Sequence, residues 1–434
     1  MSISDRTPPR VGPEGPVRGG EPARVATTGR PVVIAPYLIW FLVLASLISW
    51  RRDVFFSGSL DPVVVAKAIV GGVAFLLALF VPARTSVRAP IGAAGIVIVF
   101  FYAATSLAGG YAADSTISAA VIAIRLLLLS ATIVLVVRHY TARAVLRSLL
   151  ATMAVIATVT SVIGFGSVLG GSRLTGSLPP LNPNDLALLC AVPAIGLAYE
   201  MLVEWRHWTF RLPMLAILVL FVWFTGSRTG LLALVIGILL VLFHSGHARI
   251  RTIICLIAAI PIVFAMLAFT DTLTKIVHRD GATQADLLTL TARTSAWQSV
   301  LNIHVESWQR WIGSGLGLRQ VSVTGQYWDQ QVIDSSWISS LAQVGIVGVI
   351  LLAALTVLTV MWSLRARRLR AFTTPLLVFL LIRSFLESGL LDVNVTFVVF
   401  FTVALLVEMD ARIGASPQAR AFSEPMPPQI DPPR

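Results

Sequence analysis

The sequence predicts an all-α polytopic membrane protein with about twelve transmembrane helices and one large extracytoplasmic loop. Three observations carry that prediction. Of the 434 residues, 56% are hydrophobic and only 12% charged, where a soluble domain carries about 25% charged residues. The deficit is concentrated in runs of roughly 20 apolar residues, the helix length that crosses about 30 Å of hydrocarbon. These runs are continuously apolar and do not alternate, which excludes a transmembrane barrel.

Residues 1–31, opening "MSISDRTPPRVGPEGPVRGG", are rich in Pro, Gly and Arg without apolar periodicity, so a disordered cytoplasmic tail is expected. This polar stretch is too long for the n-region of a signal peptide, and the first apolar run is expected to stay as a span. A transmembrane domain follows over 32–409. Its spans are predicted near 32–50, 62–82, 90–109, 116–137, 148–170, 185–203, 212–226, 228–244, 252–270, 337–363, 373–388 and 392–409. Only "TGSRTG" separates the seventh from the eighth, so a count of eleven stays open. Residues 271–336 form a hydrophilic loop far longer than an ordinary connection. Residues 410–434 read as a second disordered tail. Cys190 and Cys255 lie inside apolar runs and read as packed thiols, with no disulfide framework.

The net charge of +12 is carried almost wholly by arginine, the only lysines being Lys67 and Lys275. In a membrane protein this balance points to a cytoplasmic face against anionic lipid, and no nucleic acid is implied. Loop arginines set the orientation. With the N-terminus inside, the short inner loops hold Arg84, Arg88, Arg138, Arg143, Arg147, Arg206, Arg211, Arg249, Arg251, Arg365, Arg367, Arg368 and Arg370. The short outer loops hold only Arg51, Arg52, Arg173 and Arg228. Both termini are therefore expected in the cytoplasm.

Within the long loop, "TSAWQSVLNIHVESWQRWI" places Trp297, Val300, Leu301, His304, Val305, Trp308, Trp311 and Ile312 at three- and four-residue spacing. That is one stripe of an amphipathic helix, lying either along the outer leaflet or on the protein's own spans.

Three features on the outer face attract chemistry. In "SRLTGSLPPLNPNDLALL" the prolines and Gly176 force an irregular turn before the sixth span, where Asn184 or Asp185 can cap the helix beside Arg173. In "TGSRTG", Arg228 stands between two apolar runs, a costly position unless it reaches water or an anion. In the long loop stand Arg293, the glycines of "GSGLGL", and Asp334 just before the apolar run "WISSLAQVGIVG". The glycines lack the flanking strand and helix of a dinucleotide fingerprint, and read as a turn that lets backbone come close. Guanidinium groups grip phosphate oxygens bidentately, so a lipid-borne pyrophosphate fits such a ring. Asp334 reads as a general base or as a helix N-cap. Arg125 lies mid-span in "VIAIRLLLL", expensive without a cavity or a carboxylate. Arg383 and Glu387, four apart in "LIRSFLES", read as one ion pair on one helix.

From about residue 172 to 389 the chain resembles the O-antigen ligase and polysaccharide polymerase superfamily, membrane glycosyltransferases of the C-type fold. The resemblance rests on "RLTGSLPPLNPNDLA", "GSRTGLLALVIG", "RTSAWQSVL" with "GSGLG", and "DSSWISSLAQVGIVG", in that order around one outer loop. It implies donor-pyrophosphate binding by Arg173 and Arg228, with Arg293 as a third donor-binding candidate. It places a general base at Asp334, where the ligases carry histidine, and that departure resembles the polymerase side. Asn184, Arg383 and Glu387 are further candidate site residues.

The reaction so implied is glycan transfer from a polyprenyl-pyrophosphate-linked donor to a glycan or lipid-linked acceptor at the outer face of the cytoplasmic membrane. It is inverting, with no cofactor and no metal, and a chain-length regulator and a flippase are the partners it suggests. A lipid-linked oligosaccharide flippase is the rival reading. It would use Arg125, Arg383 and Glu387 along a path, but the charges gather at the rim and not at the midplane where transporters bind.

Overall fold

Inside hydrocarbon every peptide group must find its partner within the chain, so apolar runs of this length become helices. The computed structural model describes residues 34–51, 62–81, 92–203, 208–244, 294–322 and 330–415. Its helices are α1 (Ile34–Leu47), α2 (Pro62–Phe80), α3 (Ala94–Ala112), α4 (Thr116–His139), α5 (Ala142–Gly164), α6 (Gly166–Leu169) and α7 (Pro183–Leu202). They continue as α8 (Trp208–Phe224), α9 (Arg228–His244), α10 (Trp308–Ile312), α11 (Ser336–Arg365), α12 (Arg370–Ser384) and α13 (Val395–Ala415). Each span predicted from sequence coincides with a helix except 252–270, which lies outside the described residues, as do the 1–31 tail, Cys255, His278 and Arg293. Among the described residues six helices are long and apolar enough to cross a membrane, including α2, α3, α4, α7 and α11. The chain is thus a mostly helical, multi-pass membrane protein. α8 and α9 are separate helices, so "TGSRTG" is a true break.

Hydrogen bonds bring several helix termini together. α7 is largely enclosed, packing on α5, α8 and α9. α3 packs on α4 and α11, while α9 packs on α12. The N-termini of α4, α7, α9 and α11 meet the C-termini of α3, α5, α8 and α12 at one end, here called the site end. Contacts there are direct: the Ser115 hydroxyl donates to the Ser314 carbonyl at 3.0 Å, and the Leu174 N–H donates to the Phe224 carbonyl at 2.9 Å.

The site end is organised by a kink. Gly345, inside α11, adopts φ 70° and ψ −163°, a region open essentially to glycine alone. A helical Ala342 or Gln343 carbonyl would serve an N–H four residues on. Instead the N–H groups of Ser314 and Gly315 donate to them, at 3.0 and 2.8 Å. This needs backbone against backbone: a Cβ on Gly345 would stand 2.3 Å from the Trp311 carbonyl, and one on Gly313 only 2.2 Å from the Gln343 carbonyl carbon. The expected role of the "GSGLGL" glycines, close approach of backbone, holds here, with α11 as the surface approached.

Within the long loop β1 (Gln320–Ser322) pairs antiparallel with β2 (Gln330–Val332), Val321 opposite Gln331. The expected single amphipathic helix is corrected: residues 294–301 are helical, the chain turns over 302–307, and α10 starts anew at Trp308. The Arg310 guanidinium donates to the Leu301 carbonyl at 2.8 Å, satisfying an end that the break exposes. The reason is tertiary. Val300 is buried with Ile333, Leu341 and Ala342, while α10 must lie along the kink in α11, and one straight rod cannot meet both. Leu301, Val305 and Trp311 of the stripe remain exposed.

Candidate functional site

After α6 the chain folds back over the end of α5. The Ser167 hydroxyl donates to the Arg173 carbonyl at 3.0 Å and accepts from the Thr175 N–H at 3.3 Å. Gly164 makes room for this return, since a Cβ there would lie 2.0 Å from the Thr175 carbonyl oxygen. Arg173 is thereby delivered to the turn between α8 and α9, where its Nε donates to the Thr225 carbonyl at 2.8 Å. The turn itself is locally determined. Thr225 bonds back to the Val222 carbonyl at 2.6 Å, and Gly226 takes φ +60°. The Ser227 hydroxyl accepts from the Gly230 N–H at 3.3 Å, in the manner of an N-cap. A Cβ on Gly226 would come within 3.1 Å of Arg173 Nε.

Arg228 is the first residue of α9 and is exposed. It lines a small open recess with Val222, Trp223, Gly226, Ser227 and Leu231. Two arginines far apart in sequence thus flank one glycine turn at a helix N-terminus, whose dipole adds positive potential.

The N-terminus of α7 corrects the expected cap. Asn182, not Asn184 or Asp185, caps the helix, its side-chain oxygen accepting from the Asp185 N–H at 2.8 Å, with Pro183 in the first turn. Asn184 is released to donate to the Glu387 carboxylate. Asp185 lies 3.8 Å from Arg383, whose side chain is only 2% exposed. Nε and Nη1 of Arg383 find no hydrogen-bond partner among the described residues. The expectation of one helix carrying an Arg383–Glu387 pair is also corrected: α12 ends at Ser384, so Glu387 lies beyond it, its N–H on the Arg383 carbonyl at 2.9 Å. Both side chains reach across to the start of α7.

Asp334 lies between β2 and α11 and is half-buried. The residue at the N-cap position of α11 is Ser335, whose side chain makes no cap hydrogen bond. Ile333, buried in the small core with Val300 and Leu341, fixes the approach to Asp334 from one side. From the other, Ser336 donates through its N–H and its hydroxyl to the Glu387 carbonyl, at 3.2 and 2.9 Å. The Trp337 indole donates to the Ser384 hydroxyl at 3.1 Å and stacks on Phe385. A continuous series of contacts therefore runs from the Asp334 segment through the Ser384–Leu390 turn to the start of α7.

Two functional pairings had no sequence signal. Arg319 grips Asp392 bidentately, with one contact at 2.7 Å, tying the hairpin to the turn before α13. Asp185 is the acid that answers Arg383. In both pairs the partners are remote in sequence and no periodicity links them. His304 sits in the exposed 302–307 turn.

The site end thus gathers guanidinium groups and helix N-termini, which suit an anion, together with the carboxylates of Asp185, Glu387 and Asp392 and with Asp334 on a loop–helix junction. Residues 213–353 match the family model described as O-Antigen ligase. That stretch holds Arg228, Arg293 and Asp334, and the kinked half of α11; Arg173, Asn184, Arg383 and Glu387 lie outside it. Curated proteins give no match. The chain resembles the O-antigen ligase and polymerase superfamily, and a glycan-transfer function of that type is supported.

Proposed function

We propose that the protein polymerises glycan, moving it from a polyprenyl-pyrophosphate donor onto an acceptor sugar at the outer face of the cytoplasmic membrane. The observation that carries this reading is the Arg173–Thr225 contact. It sets Arg173 on the turn that leads into Arg228, inside the segment that matches the ligase family. Polyprenyl pyrophosphate is a good leaving group, and Arg173, Arg228 and Arg293 stabilise the charge that grows on it. The acceptor hydroxyl attacks the anomeric carbon from the opposite side, the bond to the pyrophosphate oxygen breaks, and configuration inverts. Asp334 takes the hydroxyl proton. An aspartate where the ligases carry histidine favours polymerase over ligase.

The clamp is tested with Arg228→Lys, which keeps the charge and loses the planar fork. Transfer by the purified protein should fall about 10²-fold, on the scale of one lost charge-stabilising donor, with expression unchanged. Full polymer output from that variant would remove Arg228 from the clamp. Orientation is tested by labelling Asp280→Cys and Gly20→Cys in intact cells; reagent reaching position 20 from outside would put the site on the wrong face.

A further inference from the structure

Arg125, mid-way along α4, and Lys67, in the second turn of α2, take no part in the site described above. Both are half-buried. Arg125 Nη2 donates to the Ser46 carbonyl at 3.1 Å, at the C-terminal end of α1. Lys67 converges on the same place. Gly71, four residues on and therefore on the same face of α2, packs against Ser46, where a Cβ would lie 3.7 Å from its hydroxyl oxygen.

Arg125 and the face of α2 that carries Lys67 thus meet at Ser46, so two positive charges approach one helix end, and the positive charge of Arg125 bears on Lys67. Among the described residues neither pairs with a carboxylate, and Asp392 is already gripped by Arg319. The last carbonyls of α1 offset only part of this charge. That of Ala45 accepts from the Trp50 indole at 2.8 Å and that of Leu44 from the Ile48 N–H at 3.0 Å. A helix C-terminus carries about half a negative charge, and two full positive charges face it.

What surrounds the pair decides the kind of ligand. Val65, Ile69 and Ile124, beside the cations in sequence, are 44%, 61% and 63% exposed on helices that cross an apolar medium. An anion arriving past such residues carries an apolar tail. We propose that Lys67 and Arg125 form a binding site for the phosphate of an anionic membrane lipid, entered sideways from the bilayer at the end of α1. The bound phosphate supplies the missing negative charge and clamps α2 and α4 onto α1. Its neighbour, the Arg319–Asp392 pair, anchors the hairpin that leads to Asp334, so occupancy bears on the site end as well.

The test uses the full chain in mild detergent, titrated with phosphatidylglycerol or phosphatidylcholine and followed by native mass spectrometry. The wild type should retain phosphatidylglycerol in preference to phosphatidylcholine. Lys67→Gln removes no hydrogen bond among the described residues, and should fold and bind phosphatidylglycerol about fivefold more weakly, the worth of one cation at a lipid surface. Lys67→Glu supplies an internal anion for Arg125, and should abolish the lipid preference while keeping its melting temperature. Unchanged phosphatidylglycerol binding in Lys67→Gln, or equal retention of both lipids by the wild type, would overturn the site. Millimolar inorganic phosphate displacing the lipid would show a free-anion site instead, which also defeats the proposal.

Discussion

The two ends of the bundle use arginine in different ways. At the end opposite the site, Glu200 of α7 lies 3.1 Å from Arg147 and 2.8 Å from Arg211, tying α5 and α8 to α7. Nearby, Glu408 pairs with Arg412 at 2.8 Å, and Asp410 accepts from the Arg368 N–H at 3.0 Å. There Glu200 answers two arginines and joins three helices, while Glu408 and Arg412 pair within α13. At the site end, Arg173 is held by a main-chain carbonyl and Arg228 stands exposed at a helix start. The site end also holds acid–arginine pairs, Arg319 with Asp392 and Arg383 with Asp185, so the contrast concerns the two arginines at the glycine turn and not the whole end. A carbonyl contact orients a guanidinium at that turn, whereas a carboxylate both orients it and offsets its charge.

The largest expected effect falls on the one half-buried carboxylate that leads into α11. Asp334→Asn cannot take a proton at neutral pH, so transfer should drop about 10²–10⁴-fold, the usual contribution of a positioned base. Because asparagine keeps the shape of aspartate and caps a helix about as well, the melting temperature should hardly move. Normal turnover by Asp334→Asn would shift attention to His278 and His304. Gly345→Ala comes next and attacks the architecture. A methyl 2.3 Å from the Trp311 carbonyl, on a backbone region closed to alanine, should cost about 3 kcal/mol or more. Thermal unfolding measures this, and a variant as stable as the wild type would mean that the kink does not hold the loop.

Arg211→Gln sharpens the contrast from the other end. Glu200 keeps Arg147, so the loss should be about 1 kcal/mol of stability with transfer unaffected. If Arg211→Gln were as inactive as Arg228→Lys, the distinction between the two ends would collapse. The smallest expected effect is none at all: with arginines neutralising the pyrophosphate, excess EDTA should leave transfer by purified protein unchanged. Activity lost to EDTA and restored by magnesium or manganese would replace that account of the clamp.

Part of the site is legible in the amino-acid sequence. Arg173, Arg228 and Asp334 stand out because a charge beside hydrocarbon is costly and so carries information. The cap of α7 is also readable from "NPND", since proline favours the first helical position and so makes Asn182 the cap. Arg383 and Glu387 mislead, because four-residue spacing presumes a helix that continues, and α12 stops at Ser384.

The sequence by itself determined where the described helices lie. That follows from run length and from peptide groups that must be satisfied locally in hydrocarbon. Only the tertiary structure decided the partners: the Thr225 carbonyl for Arg173, Asp185 for Arg383, Asp392 for Arg319, and Ser314 and Gly315 for the carbonyls that Gly345 frees. Those choices depend on which helix ends meet in space, and a one-dimensional pattern does not encode that meeting. The broken stripe at 302–307 shows the same limit. Its spacing allowed one helix, and two separate surfaces, the Val300 core and the kink in α11, pulled it into two.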